Sequence, residues 1–155
     1  MSTFQLTEEG RRDIEFLTRN LDEFDKSKTV KKGLRAAASV YVKKGKSNLR
    51  SRLKGTGRGS LINSFAIREK RNKPGVLAGF RRSTRYIQYQ EAGNHAHLVD
   101  KGTVKRQNRK GANRGIMVGN QFWTDAAVSE QQKAAAAVYD GVKRAVERIN
   151  NRRNA

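Results

Sequence analysis

From Lys26 to Arg68 the chain carries thirteen lysines and arginines and not one aspartate or glutamate. No other feature restricts the fold as much. Like charges at this density repel one another and destabilise an isolated compact monomer. The first 25 residues have the opposite balance: seven acids (Glu8, Glu9, Asp13, Glu15, Asp22, Glu23, Asp25) stand against three arginines. That acidic segment would offset the repulsion by packing on basic surface, its own or a neighbouring subunit's. The formal net charge is +20, a field that favours DNA, RNA or an acidic protein face as neighbour.

The length, 155 residues, suits a single domain with a real core. We divide it into an acidic helical segment over 1–25, a body over 26–150 and a frayed basic tail over 151–155. With 35% hydrophobic and 31% charged residues, a small core with long polar arms is expected. There is no cysteine, which excludes disulfides and thiolate metal sites. A polar, acidic start argues against a signal peptide. No apolar run approaches the roughly 20 residues of a membrane span, so no membrane partner is expected.

Thr7 can cap a first helix over about 8–24, with Glu8 and Glu9 in its first turn and Ile14, Leu17, Leu21 and Phe24 at helical spacing. Ser27 or Thr29 can cap a second over 29–46, with Val30, Leu34, Ala37, Ala38, Tyr41 and Val42 on its apolar face. Gly45, Gly55, Gly57 and Gly59 mark 45–60 as a loop. Residues 61–69 alternate as a strand, Asn72-Lys73-Pro74-Gly75 is a turn, and Val76 to Arg82 alternates again, which makes a hairpin. Tyr86 to Tyr89 would be a third strand and Gly115 to Gly119 a fourth. A last helix over 124–150, capped by Thr124, presents Val138, Val142, Ala145, Val146 and Ile149 on one face. The expected core is Leu61, Phe65, Val76, Phe80, Leu98, Val99, Phe122, Val138, Val142 and Ile149. The fold class is α+β: a small antiparallel sheet packed by N-terminal helices and a long C-terminal helix, with extended basic loops.

The candidate contacts are basic. Lys43, Lys44, Lys46, Arg50, Arg52, Lys54 and Arg58 continue the charged face of the second helix into the glycine-rich loop. Lys105, Arg106, Arg109, Lys110 and Arg114 lie in a loop without acids, held between the apolar turn His95–Thr103 and the Phe122-Trp123 pair. A basic loop anchored at both ends is either a functional surface arm or a solvated insertion. Recognisable catalytic chemistry is lacking. The glycines at 55, 57 and 59 are followed by a strand pattern rather than Gly-Lys-Ser/Thr and a helix, which argues against a phosphate loop. His95 and His97 would share one side of a strand, but no third metal ligand is evident. No nucleophile elbow and no carboxylate pair in an apolar setting is present. We therefore expect no enzyme, no cofactor and no metal.

The order of elements, with three short motifs, resembles the head–tail joining proteins of long-tailed phages, the neck or tail-completion family that includes the minor tail component protein Z. Gly59-Ser60-Leu61-Ile62-Asn63-Ser64-Phe65 is similar to the family's Gly-x-Leu-x-x-Ser-Ile/Phe. His95-Ala96-His97-Leu98-Val99-Asp100-Lys101-Gly102-Thr103 resembles its Tyr-Ala-x-Phe-Val-Glu-x-Gly-Thr, with histidine for tyrosine and aspartate for glutamate. Gln121-Phe122-Trp123-Thr124-Asp125-Ala126 resembles its Pro-Phe-x-x-Pro-Ala without the prolines. The motif positions are thus Gly59, Leu61, Ser64, Ala96, Val99, Asp100, Gly102, Thr103, Phe122 and Ala126. The resemblance implies a non-catalytic virion protein, made in the host cytoplasm. It would assemble as a six- or twelve-fold homo-oligomeric ring between portal-side and tail-side proteins, with DNA phosphates in the channel as a further contact. The alternative is a basic nucleic-acid-binding module of ribosome-associated or nucleoid type.

Overall fold

The structure, a computed structural model, describes residues 6–53, 58–71, 75–81 and 93–154. Within them the fold is α+β. The helices are α1 (Glu8–Thr18), α2 (Glu23–Arg52), α3 (Arg58–Asn63), α4 (Ala96–Lys101), α5 (Phe122–Ser129) and α6 (Gln131–Arg153), and the strands are β1 (Phe65–Glu69) and β2 (Val76–Phe80). The strands form a two-stranded antiparallel pair. Beyond one end Lys70 N–H donates to the Gly75 carbonyl (2.8 Å), and beyond the other Arg81 N–H donates to the Ser64 carbonyl (2.7 Å). None of the described helices is long and apolar enough to cross a membrane.

Several element boundaries differ from expectation. The first helix stops at Thr18, whose hydroxyl donates back to the Ile14 carbonyl at 2.8 Å. The second begins at Glu23 because Asp22, rather than Ser27 or Thr29, accepts the Asp25 N–H (2.7 Å) as its cap. It then runs through Gly45 to Arg52, over positions expected to be loop. Gly45 is there for close packing: a Cβ would sit 2.8 Å from a Trp123 ring carbon and 3.0 Å from the Phe65 ring. Leu49, one turn on, is fully buried.

Leu61 lies within α3 instead of opening a strand, and the strand β1 begins only at Phe65. Ser64 ends the helix with its hydroxyl bonded to the Leu61 carbonyl (2.7 Å). His95 and His97 belong to the start of α4, not to a strand. Gly115 to Gly119 is not a fourth strand, but has one antiparallel bridge, Gly102 to Val118, because Gly115 takes a positive φ of 75°. The turn residues 72–74 and the expected strand 86–89 lie outside the described residues.

The expected C-terminal helix is two helices. The chain breaks at Glu130, which has a non-helical ψ of 11° and whose carbonyl accepts the Ala134 N–H at 2.8 Å. α6 continues through Arg152 to Arg153, whose guanidinium meets Asp25 (3.3 Å) and Asp22 (3.7 Å). Leu61, Phe65, Phe122, Val138 and Val142 are buried as expected; Val76, Phe80, Leu98, Val99 and Ile149 are only half-buried.

The chain divides into two compact units, each built from separated segments. The first takes the residues up to Lys43, Ile67–Ala78 and those from Ser129 onward. Its core is Ile14, Ala37, Ala134, Val138 and Val142, with Leu17, Val30, Leu34 and Val146 packed against them. α1 lies on α6. α2 and α6 meet at two glycines: a Cβ on Gly141 would stand 2.8 Å from Gly33 Cα. The second unit, Lys44–Ala66 and Gly79–Val128, holds the aromatic cluster and all the motif segments.

Candidate partner-binding arm

Within the second unit, Asp100 joins two of the motifs. It stands near the end of α4, buried, and its carboxylate accepts from the Trp123 N–H (2.7 Å), the Thr124 N–H (3.1 Å) and the Thr124 hydroxyl (2.6 Å). A helix leaves its first N–H groups without internal partners, and a carboxylate there satisfies them and complements the helix dipole. The expected cap, Thr124, is therefore inside α5, and the capping group comes from 24 residues upstream. Asn120 assists by accepting the Phe122 N–H at 3.2 Å.

The aromatic cluster below this joint draws in the first motif. Phe65 meets Phe80 edge-on with ring centres 4.6 Å apart, and Trp123 stands 5.8 Å from Phe65 and 5.4 Å from Phe80. Phe122 is fully buried beside them, and its carbonyl accepts from the Asn48 side-chain amide at 3.0 Å. Leu61, Ser64, Ala96 and Ala126 are buried as well. The three motifs thus converge on one packed joint at the base of the arm.

The arm leaves from Thr103 and returns at Val118. At its root Gly102 has a φ of 80°, and a Cβ there would lie 2.5 Å from the Met117 carbonyl oxygen, so only glycine lets the two strands approach. Thr103 N–H donates to the Met117 carbonyl (2.8 Å), and Met117 N–H donates back to the Thr103 hydroxyl (3.0 Å). Further out Gln107 pairs with Asn113 in the same register as Gly102 with Val118. The tip is closed by Asn108, whose side-chain oxygen accepts from the N–H groups of Lys110 (3.0 Å) and Ala112 (2.8 Å), with Gly111 at positive φ. The basic loop is therefore an irregular hairpin.

Lys105, Arg106, Arg109, Lys110 and Arg114 are all exposed on it. Val104, Ile116 and Val118 are also exposed, at 81%, 64% and 84%. Three branched apolar side chains in water on a cationic arm mark a surface that meets something. In the sequence Ile116 and Val118 belong to an apolar stretch expected to be a strand, so their exposure is visible only in the structure.

The other basic candidates are not equivalent. Lys43 and Arg50 are exposed on α2, whereas Lys44 and Lys46 are half-buried, and the Lys46 ammonium lies 5.8 Å from the Phe65 ring centre. Arg52 is engaged inside the unit, with its guanidinium 2.6 Å from both an Asp125 carboxylate oxygen and the Asn120 carbonyl oxygen. Arg58 opens α3, but its side chain, like all of Lys54, lies outside the described residues. Among the described residues no three histidine or acidic side chains are grouped to hold a metal ion.

Compared with known proteins, the chain matches no family model, no curated protein and no solved structure.

Proposed function

We propose that this chain is a structural protein of a tailed-phage neck. In this reading it forms a six- or twelve-fold ring that joins the DNA-filled head to the tail, and it catalyses nothing. The motif order supports the reading, and the observation that carries it is the Asp100 joint. Three short motifs that are far apart in sequence build one mount, and the mount holds a cationic hairpin at a fixed position. A fixed mount suits a fixed partner surface, on a portal-side or tail-side protein. DNA phosphates in the channel are the second class of contact, without base reading, because phosphate contacts position a protein without specifying sequence. The strong basic excess favours the alternative of a nucleic-acid-binding module.

The deciding experiment replaces Lys105, Arg106, Arg109, Lys110 and Arg114 with serine. It then measures DNA affinity of the purified protein and head–tail joining in a complementation assay. Lost joining with unchanged DNA affinity is the expected result. Lost DNA affinity with normal joining would favour the nucleic-acid module and remove the arm from the neck role.

A further inference from the structure

We propose that a groove between α1 and α6 receives the basic arm of a second copy of this chain. The inference rests on the self-assembly proposed above and names the two surfaces that make it. The groove encloses about 230 Å³ and lies wholly within the first unit. Leu6, Ile14, Ala135 and Tyr139 give it apolar walls, and Glu9 and Asp13 line it from α1. Cavities of about 150 Å³ accept a benzene-sized group, so this volume takes one large side chain.

Glu9 and Asp13 are exposed, one helical turn apart, and have no ion-pair partner among the described residues. Phe16, three residues further along α1, is 63% exposed. The spacing puts acid, acid and aromatic along one stripe of the helix.

The arm has the complementary chemistry. It carries five cations and no anion, with Val104, Ile116 and Val118 exposed at its base. An apolar side chain would enter the groove while neighbouring guanidinium or ammonium groups meet the two carboxylates. The same carboxylates repel phosphate, so the groove itself selects against nucleic acid. Because the two patches differ, each copy offers its arm to the next and its groove to the previous one. Such a head-to-tail contact generates a ring when the rotation closes.

The absence of native cysteine makes the test specific. Full-length Asp13→Cys and Arg106→Cys variants are mixed in equal amounts under mild oxidant. Crosslinked heterodimer should exceed both homodimers, and the excess should disappear at high salt. Heterodimer at the statistical proportion would overturn the inference. A second pair of variants reverses charge, Glu9→Lys with Asp13→Lys in one chain and Lys105→Glu, Arg106→Glu and Arg114→Glu in another. Each alone should self-associate about tenfold more weakly than wild type, and the mixture should recover. All of these positions are exposed, and circular dichroism checks that each variant is folded. Equal association of the two variants, their mixture and wild type would also overturn the inference. The neck reading fails separately: a crosslink that forms in a chain absent from virion necks refutes that reading alone. A neck ring whose copies give no crosslink refutes this contact alone.

Discussion

Asp100 ties α4 to the start of α5 in the second unit. Its carboxylate satisfies two backbone donors and one hydroxyl at the start of α5. Asp100→Ala should lower unfolding free energy by about 2 kcal/mol, the upper end for a lost cap, because the abandoned N–H groups are partly buried. Asp100→Asn keeps an acceptor oxygen and should lose less. Urea titration of both variants checks the order; equal losses would mean that packing rather than capping holds the joint. Tyr41 gives a second prediction at this scale. Partial burial pushes its phenol above the usual 10.0, and the Glu130 carboxylate adds to the effect. A raised folded value favours the protonated form. The associated stability is therefore full below pH 10.0 and is lost as pH climbs through the raised value. In an alkaline absorbance titration Tyr41 should ionise late, and Tyr41→Phe should remove the late component.

Where α2 meets α6, the contact is decided by glycine. Gly33→Ala adds a Cβ 2.7 Å from both the Val138 carbonyl oxygen and a Val142 methyl carbon. Alanine improves helix propensity by about 1 kcal/mol over glycine. Overpacking a dense contact costs about 1–3 kcal/mol, and here one of the neighbours is backbone that cannot rotate away. The clash should win, leaving the variant less stable by up to about 2 kcal/mol. A urea midpoint at or above wild type would show that the helices separate without cost. The aromatic cluster is a comparable case. Gly45 lets α2 approach Trp123 and Phe65, so the glycine that looks like a loop signal is an element of packing.

The whole molecule carries its charge as a liability. A formal net charge of +20 on 155 residues means long-range self-repulsion that no local pair removes. Among the described residues ion pairs such as Arg35 with Glu69 at 3.2 Å lie at the surface and contribute little. Raising ionic strength from about 0.01 M to about 0.15 M shortens the screening length from about 30 Å to about 8 Å. Thermal stability of the dilute protein should therefore rise with salt. The proposed contact between copies should weaken over the same range, because it is made of opposite charges. Opposite salt responses of folding and association, read by calorimetry and sedimentation, would separate the two effects. A melting temperature that falls with salt would mean that attractive pairs dominate the fold.

Much of the local chemistry was legible in the sequence, although the Asp22 cap of α2 and the Ser64 end of α3, each acting over three residues, were not. Thr7 caps α1 by accepting the Gly10 N–H at 3.2 Å. Val138 and Val142 face the core because they stand one turn apart. The strand pair on either side of residues 72–75 follows from alternation and turn residues. The anchoring of the basic arm at both ends follows from the apolar segments that flank it. What remained hidden depends on residues far apart in the chain. Nothing near Gly45 says that two aromatic rings will pack on it and keep the helix intact to Arg52. No glycine or proline marks the break at Glu130, so helical periodicity runs through it undisturbed. Asp100 becomes a helix cap only once α4 stands beside the start of α5, because a hydrogen bond of 2.7 Å requires a position that sequence spacing does not specify.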